Sequence, residues 1–204
     1  MTKHRLELFS DGVFAIVLTL LALDLRPPHG LGLAGLLEIA PSLLVHAGTF
    51  AVVGLMWMSH HNTLAIVDKI RRSTLLWNLH GLFWLTLLPF MAKVAAEHPL
   101  DSLGPSGLAL CYGMHGVSLV AARATMQSRD EIDDAALSRF TRMRLWQYGG
   151  VATLRLFLAG LAWVSPWFGY AVLVTVAAPF LFPSKTPEEL EQMIAAPAAE
   201  AAAE

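Results

Sequence analysis

The chain has 204 residues, 55% of them hydrophobic and only 15% charged, too little polar material to cover a soluble domain of this size. A net charge of −2 makes no case for nucleic-acid binding, and a single cysteine, Cys111, excludes an intrachain disulfide and a multi-cysteine metal site. An all-α polytopic membrane protein is expected, with no cofactor.

Six segments are predicted to hold membrane helices, at about 5–25, 36–62, 73–96, 105–125, 145–164 and 167–183. They would make residues 1–184 one six-helix domain and leave 185–204, rich in alanine, as a flexible cytoplasmic tail. The N-terminus resembles a signal peptide superficially. Glu7 and Asp11 interrupt its apolar run and no small-residue cleavage site follows Leu25, so it is expected to be retained.

The unbroken apolar run of the first segment, Gly12 to Leu23, is short; crossing a bilayer core takes about 20 residues. The helix therefore begins upstream and carries Ser10 and Asp11 with it. A carboxylate in that position is costly unless it faces protein or water. On a wheel of about 100° per residue, Phe9, Leu20 and Leu23 lie within about 40° of Ile16, with Thr19 about 60° to one side. Ser10 and Asp11 lie about 120° and 140° away, and Arg5 is about 120° from Asp11, too far round to pair with it. One face is apolar with a hydroxyl beside it, and the polar pair points backward.

The turn Arg26-Pro27-Pro28-His29-Gly30 cannot continue a helix. The second segment then carries Trp57, His60 and His61 near its end, and the third carries Trp77, Asn78 and His80 near its start. Counted from the inner helix ends, Asp11, His61 and Asn78 are each about six or seven residues in and should share a depth. Polar groups at one level in a bilayer can satisfy each other, so a hydrogen-bonded network is expected to join Ser10 and Asp11 to His60 or His61 and to Asn78. Arg5 would join from below or reach a neighbouring subunit. His60 and His61 are adjacent, about 100° apart, and lack the i, i+4 spacing with which two histidines grip one metal, so no metal site is expected. His46 and His115 read as packing residues.

Further on, 126–144 is the most charged stretch and reads as a solvated loop leading into a basic helix start. Arg155, near the middle of the fifth helix, needs a carbonyl, a carboxylate or water that the sequence does not name; a subunit interface is one setting for it. Ser165-Pro166 divides the last two segments as a tight turn. With six crossings and a cytoplasmic N-terminus, Lys3, Arg5, Lys69, Arg71, Arg72, Arg123, Arg129, Arg139, Arg142, Arg144 and Lys185 all fall inside, and Arg26 alone falls in an outer loop. The positive-inside rule thus places both termini in the cytoplasm, with the chain in the cell membrane.

Arg5-xxx-Phe9-Ser10-Asp11, opening the first hydrophobic segment, is similar to the RxxxFSD signature of the lysosomal potassium channel family, transmembrane protein 175, and its bacterial homologues. The resemblance continues through Gly12-Val13-Phe14-Ala15-Ile16, Thr19-Leu20, Trp57, His60-His61 and the segment from Trp77-Asn78 to Pro89-Phe90, and thins after about residue 95. It implies a prokaryotic single-repeat member, assembling as a homotetramer around helix 1 in contact with membrane lipid and conducting potassium ions, not an enzyme. Ile16, Thr19, Leu20 and Leu23 would then line the pore as a hydrophobic constriction. Arg5, Phe9, Ser10, Asp11, Trp57, His60, His61 and Asn78 would form a structural polar network that anchors the pore helix. No TVGYG-type filter is present, so selectivity would arise differently. An intramembrane enzyme or a secondary transporter using Asp11, His60 and His61 is the alternative.

Overall fold

In a bilayer every backbone polar group must be satisfied within its own segment, which leaves helices as the outcome for apolar runs like these. The computed structural model describes residues 2–23, 25–30, 32–65, 70–126 and 135–176. They form α1 (Lys3–Leu23), α2 (Gly32–Ala65), α3 (Arg72–Thr86), α4 (Leu88–Glu97), α5 (Leu103–Met126), α6 (Ala135–Leu161) and α7 (Pro166–Tyr170), followed by a 3-10 turn at Ala171–Val176. Among the described residues, three helical stretches are long and apolar enough to cross a membrane: Lys3–Leu23, Gly32–His61 and Arg72–Glu97.

The helices depart from the predicted ranges at identifiable places. The third span is two helices, because Pro89 lacks the N–H that Leu85 would otherwise receive, and its ring crowds that carbonyl; the break falls at Leu87. α2 begins at Gly32, whose φ of 75° suits only glycine well. Of the stretch expected as a loop, 127–134 lies outside the described residues, and helix has begun by Ala135. Ala, Leu, Arg and Met are strong helix formers, and charge does not stop them. After Ser165, extended ahead of Pro166, the predicted last helix is a five-residue helix and a 3-10 turn as far as Val176. Residues 177–183 and the tail at 185–204 lie outside the described residues.

α5 is the centre of the protomer, packed against α3, α4, α6 and α7. Its glycines let the neighbours in. A Cβ on Gly104 would lie 2.4 Å from Ala95 N of α4, and one on Gly113 would lie 2.7 Å from Leu156 Cδ2 of α6. Such small residues are what helix association inside a membrane relies on. The apolar core gathers Phe14, Val17 and Leu21 of α1, Val52, Val53 and Met56 of α2, Leu82, Leu85 and Leu88 of α3 and α4, and Leu108 and Tyr112 of α5. α1 thus rests on the rest of the protomer along one side.

Candidate functional site

That side of α1 consists of Leu6, Ser10, Phe14, Val17 and Leu21, all buried. The i, i+3, i+4 spacing puts them on one stripe. The opposite face is open: Ile16 is 59% exposed, Leu20 42% and Leu23 79%, and Thr19 is exposed among them. Thr19 Oγ1 donates to Ile16 O at 2.8 Å. Its only proton is thereby directed into the helix, leaving its lone pairs as acceptors on the open face.

Around Ser10 and Asp11 the back is fastened by two separate contacts, and further along His46 Nδ1 of α2, read as a packing residue, donates to Leu21 O at 3.2 Å. Asn78 Nδ2 of α3 donates to the buried Ser10 Oγ at 3.1 Å. Trp57 Nε1 of α2 donates to Asp11 Oδ1 at 2.8 Å. On the wheel Ser10 and Asp11 fall on either side of the back, which is why each finds a different helix. His61 enters by stacking on Trp57, ring centroids 5.8 Å apart, and His60 by packing on Phe14 at 5.6 Å. Neither histidine makes a hydrogen bond to Ser10 or Asp11, and each contributes a ring contact of its own. Arg5 and Phe9 are exposed on the open side, and Arg5 makes no hydrogen bond or ion pair with any described residue.

Several polar groups not assigned to the site from sequence are engaged around it. Trp84 Nε1 donates to His80 Nε2, which fixes the histidine tautomer; His80 Nδ1 then donates to Ser118 Oγ at 2.7 Å, and Ser118 donates to Met114 O. His115, read as a packing residue, uses Nδ1 to donate to Gly81 O at 3.1 Å and stands edge-on to Phe14 at 6.0 Å. Arg123 binds the Thr63 hydroxyl and Ser59 O and lies 3.9 Å over the Tyr148 ring. Arg155 is buried and donates to Thr175 Oγ1 at 2.9 Å. Its partner is thus an alcohol of the same chain, on a turn that no sequence spacing connects to it. Among the described residues no three His, Cys, Asp or Glu side chains converge as a metal site.

The model of the family "Endosomal/lysosomal potassium channel TMEM175" matches residues 5–89, the stretch that holds both arms and the open face. A potassium channel of Chamaesiphon minutus is 30% identical over 190 residues, covering 86% of this chain and 92% of that one. The chain belongs to the TMEM175 family. A Chryseobacterium potassium channel is 41% identical over 109 residues, a match that takes in 51% of this chain and 57% of that protein. The crystal structure of a lysosomal potassium-selective channel TMEM175 homolog from Chamaesiphon minutus superposes with a TM-score of 0.75 at 25% identity, covering 87% of this chain and 96% of that one. The protein is accordingly an all-α, multi-pass membrane protein of the TMEM175 fold, in a family of channels and not of enzymes.

Proposed function

We propose that this chain is a potassium channel of the TMEM175 family that works as a homotetramer, conducting passively through an axial pore lined by the open face of α1. The observation that carries the reading is the division of α1: a fully packed back, and a front of Ile16, Thr19, Leu20 and Leu23 left exposed in the single protomer. Fourfold closure turns each front residue into a ring. The Ile16, Leu20 and Leu23 rings would stack at intervals of about 4.5–6 Å along the axis. Such a constriction closes by dewetting, with no plug needed.

When wide enough to conduct, it obliges an ion to shed water. Potassium holds its hydration less tightly than sodium, and four Thr19 hydroxyls with free lone pairs replace part of the shell. Modest potassium preference follows. Both termini are cytoplasmic in this reading, supported by the crowding of Lys and Arg on one side, and the two arms behind α1 serve to hold the pore helix.

The test is ion flux in proteoliposomes, potassium against sodium. Ile16→Asn and Leu20→Asn each remove an apolar ring and should raise sodium leak on the order of tenfold, equivalent to about 1.4 kcal/mol of barrier. Unchanged flux and unchanged preference in both variants would sink the pore assignment.

A further inference from the structure

Two small cavities lie behind α1. The first, with about 20 Å³ open to water centres, is walled in part by His60, Trp77, Asn78, Gly81 and His115. The second, with about 50 Å³, is walled in part by Met56, Ser59, His115, Tyr148 and Arg155. His115 and Leu119 are walls of both. A water needs roughly 10–15 Å³ of such space and two to four polar partners, so there is room for about one molecule in the first and about three in the second.

The walls supply the partners. Ser59 Oγ, His60 Nε2 and His115 Nε2 are buried and make no hydrogen bond within the described residues. The state of His115 is fixed: Nδ1 faces the Gly81 carbonyl and must carry the proton, so Nε2 is a bare acceptor that calls for a donor. Apolar cavities stay dry, but the first of these is edged by His60, Asn78 and His115 and the second by Ser59, His115, Tyr148 and Arg155, polar groups that call for water.

We propose that the two cavities form one hydrated chamber in each protomer, whose water completes the seat of Phe14. Phe14 is held by His60 and His115, the same two rings that line the chamber. The chamber also runs from Asn78, which holds Ser10 of α1, to Arg155 of α6. Water rearranges where interlocked side chains cannot, so this backing lets α1 shift on its seat without breaking the core. The hydration stands whether or not α1 lines a pore; only the use of that compliance rests on the reading above.

Hydroxyl-radical footprinting of the full-length protein in nanodiscs tests it, because radicals form where water is. Met56, only 7% exposed, should be oxidised in the wild type, and at least about threefold more slowly in His115→Leu, which removes the acceptor shared by both cavities. Ser59→Ala carries the same reading if His115→Leu fails to assemble. A Met56 left unoxidised in the wild type, or oxidised at one rate in the wild type and the variants, overturns the proposal, and neither result depends on ion flux.

Discussion

Helices α1 and α5 both lie within the bundle, yet protein surrounds α5 almost completely and covers only one side of α1. In α5 every residue from Gly104 to Ala109 is buried, whereas burial in α1 recurs only at Leu6, Ser10, Phe14, Val17 and Leu21. Their compositions follow their settings. A helix enclosed by other helices needs a close fit, which Gly104, Gly107, Gly113 and Gly116 provide, while a helix that meets lipid or a pore needs apolar side chains. Small residues therefore report how central a helix is within the protomer.

The largest expected effect breaks the comparison on the α5 side. Gly104→Val would drive a Cβ to 2.4 Å from Ala95 N and 2.5 Å from its Cα, which are backbone atoms of α4 that cannot rotate away. The cost should reach or pass the top of the ~1–3 kcal/mol range for overpacking, seen as a lowered unfolding midpoint in detergent or loss of assembled protein. Ile16→Ala, on the open face of α1, should leave stability within about 0.5 kcal/mol. If Ile16→Ala proves the more damaging of the two, the assignment of α5 as the structural centre is wrong.

A smaller effect sharpens what holds the back of α1. The network expected from depth alone is instead two arms with no shared partner, Asn78 to Ser10 and Trp57 to Asp11. Asn78→Leu should cost about 0.6 kcal/mol and at most about 1.7, the scale of interhelical hydrogen bonds in membranes. Trp57→Phe removes a bond to a carboxylate and should cost about 1.5–3 kcal/mol. Independent arms should add within about 0.5 kcal/mol in the double variant, so a larger coupling by equilibrium unfolding would mean one network after all.

What the sequence made legible was periodic or punctuated. The two faces of α1 follow from 3.6-residue geometry, and the turn at Ser165-Pro166 from proline chemistry. The partners of Ser10 and Asp11 were legible only as far as the helix: depth counting joined both residues to Asn78 and to His60 or His61 in one network, whereas Asn78 reaches Ser10 and Trp57 reaches Asp11. Counting residues from a helix end gives height and not rotation, and Trp57 and His61 are four residues apart on one face. Arg155 to Thr175 and His115 to Gly81 were not legible at all, because each depends on how α5, α6 and the last turn pack, which no local pattern encodes. The helix break at Leu87 could have been read from Pro89.

The smallest expected effect lies at the far end of α1, where the turn into α2 is tied in open solvent. His29 Nδ1 stands 2.5 Å from Glu38 Oε1, and the His29 side chain is 96% exposed. The carboxylate beside it, by hydrogen bond first and charge second, raises the His29 pKa above its ordinary 6.5. A raised folded-state pKa means stabilisation that is fully present below that ordinary value and is lost as pH climbs through the raised one. Wild type should therefore unfold at a higher temperature than His29→Gln at about pH 6, and the difference should vanish by about pH 9. Because the pair is exposed, roughly 0.5 M salt should shrink the same difference at the lower pH. The clash at Gly104 is steric and buried, so neither pH nor salt should rescue it. A His29→Gln difference that grows with pH would show that the contact does not act through the charged imidazole.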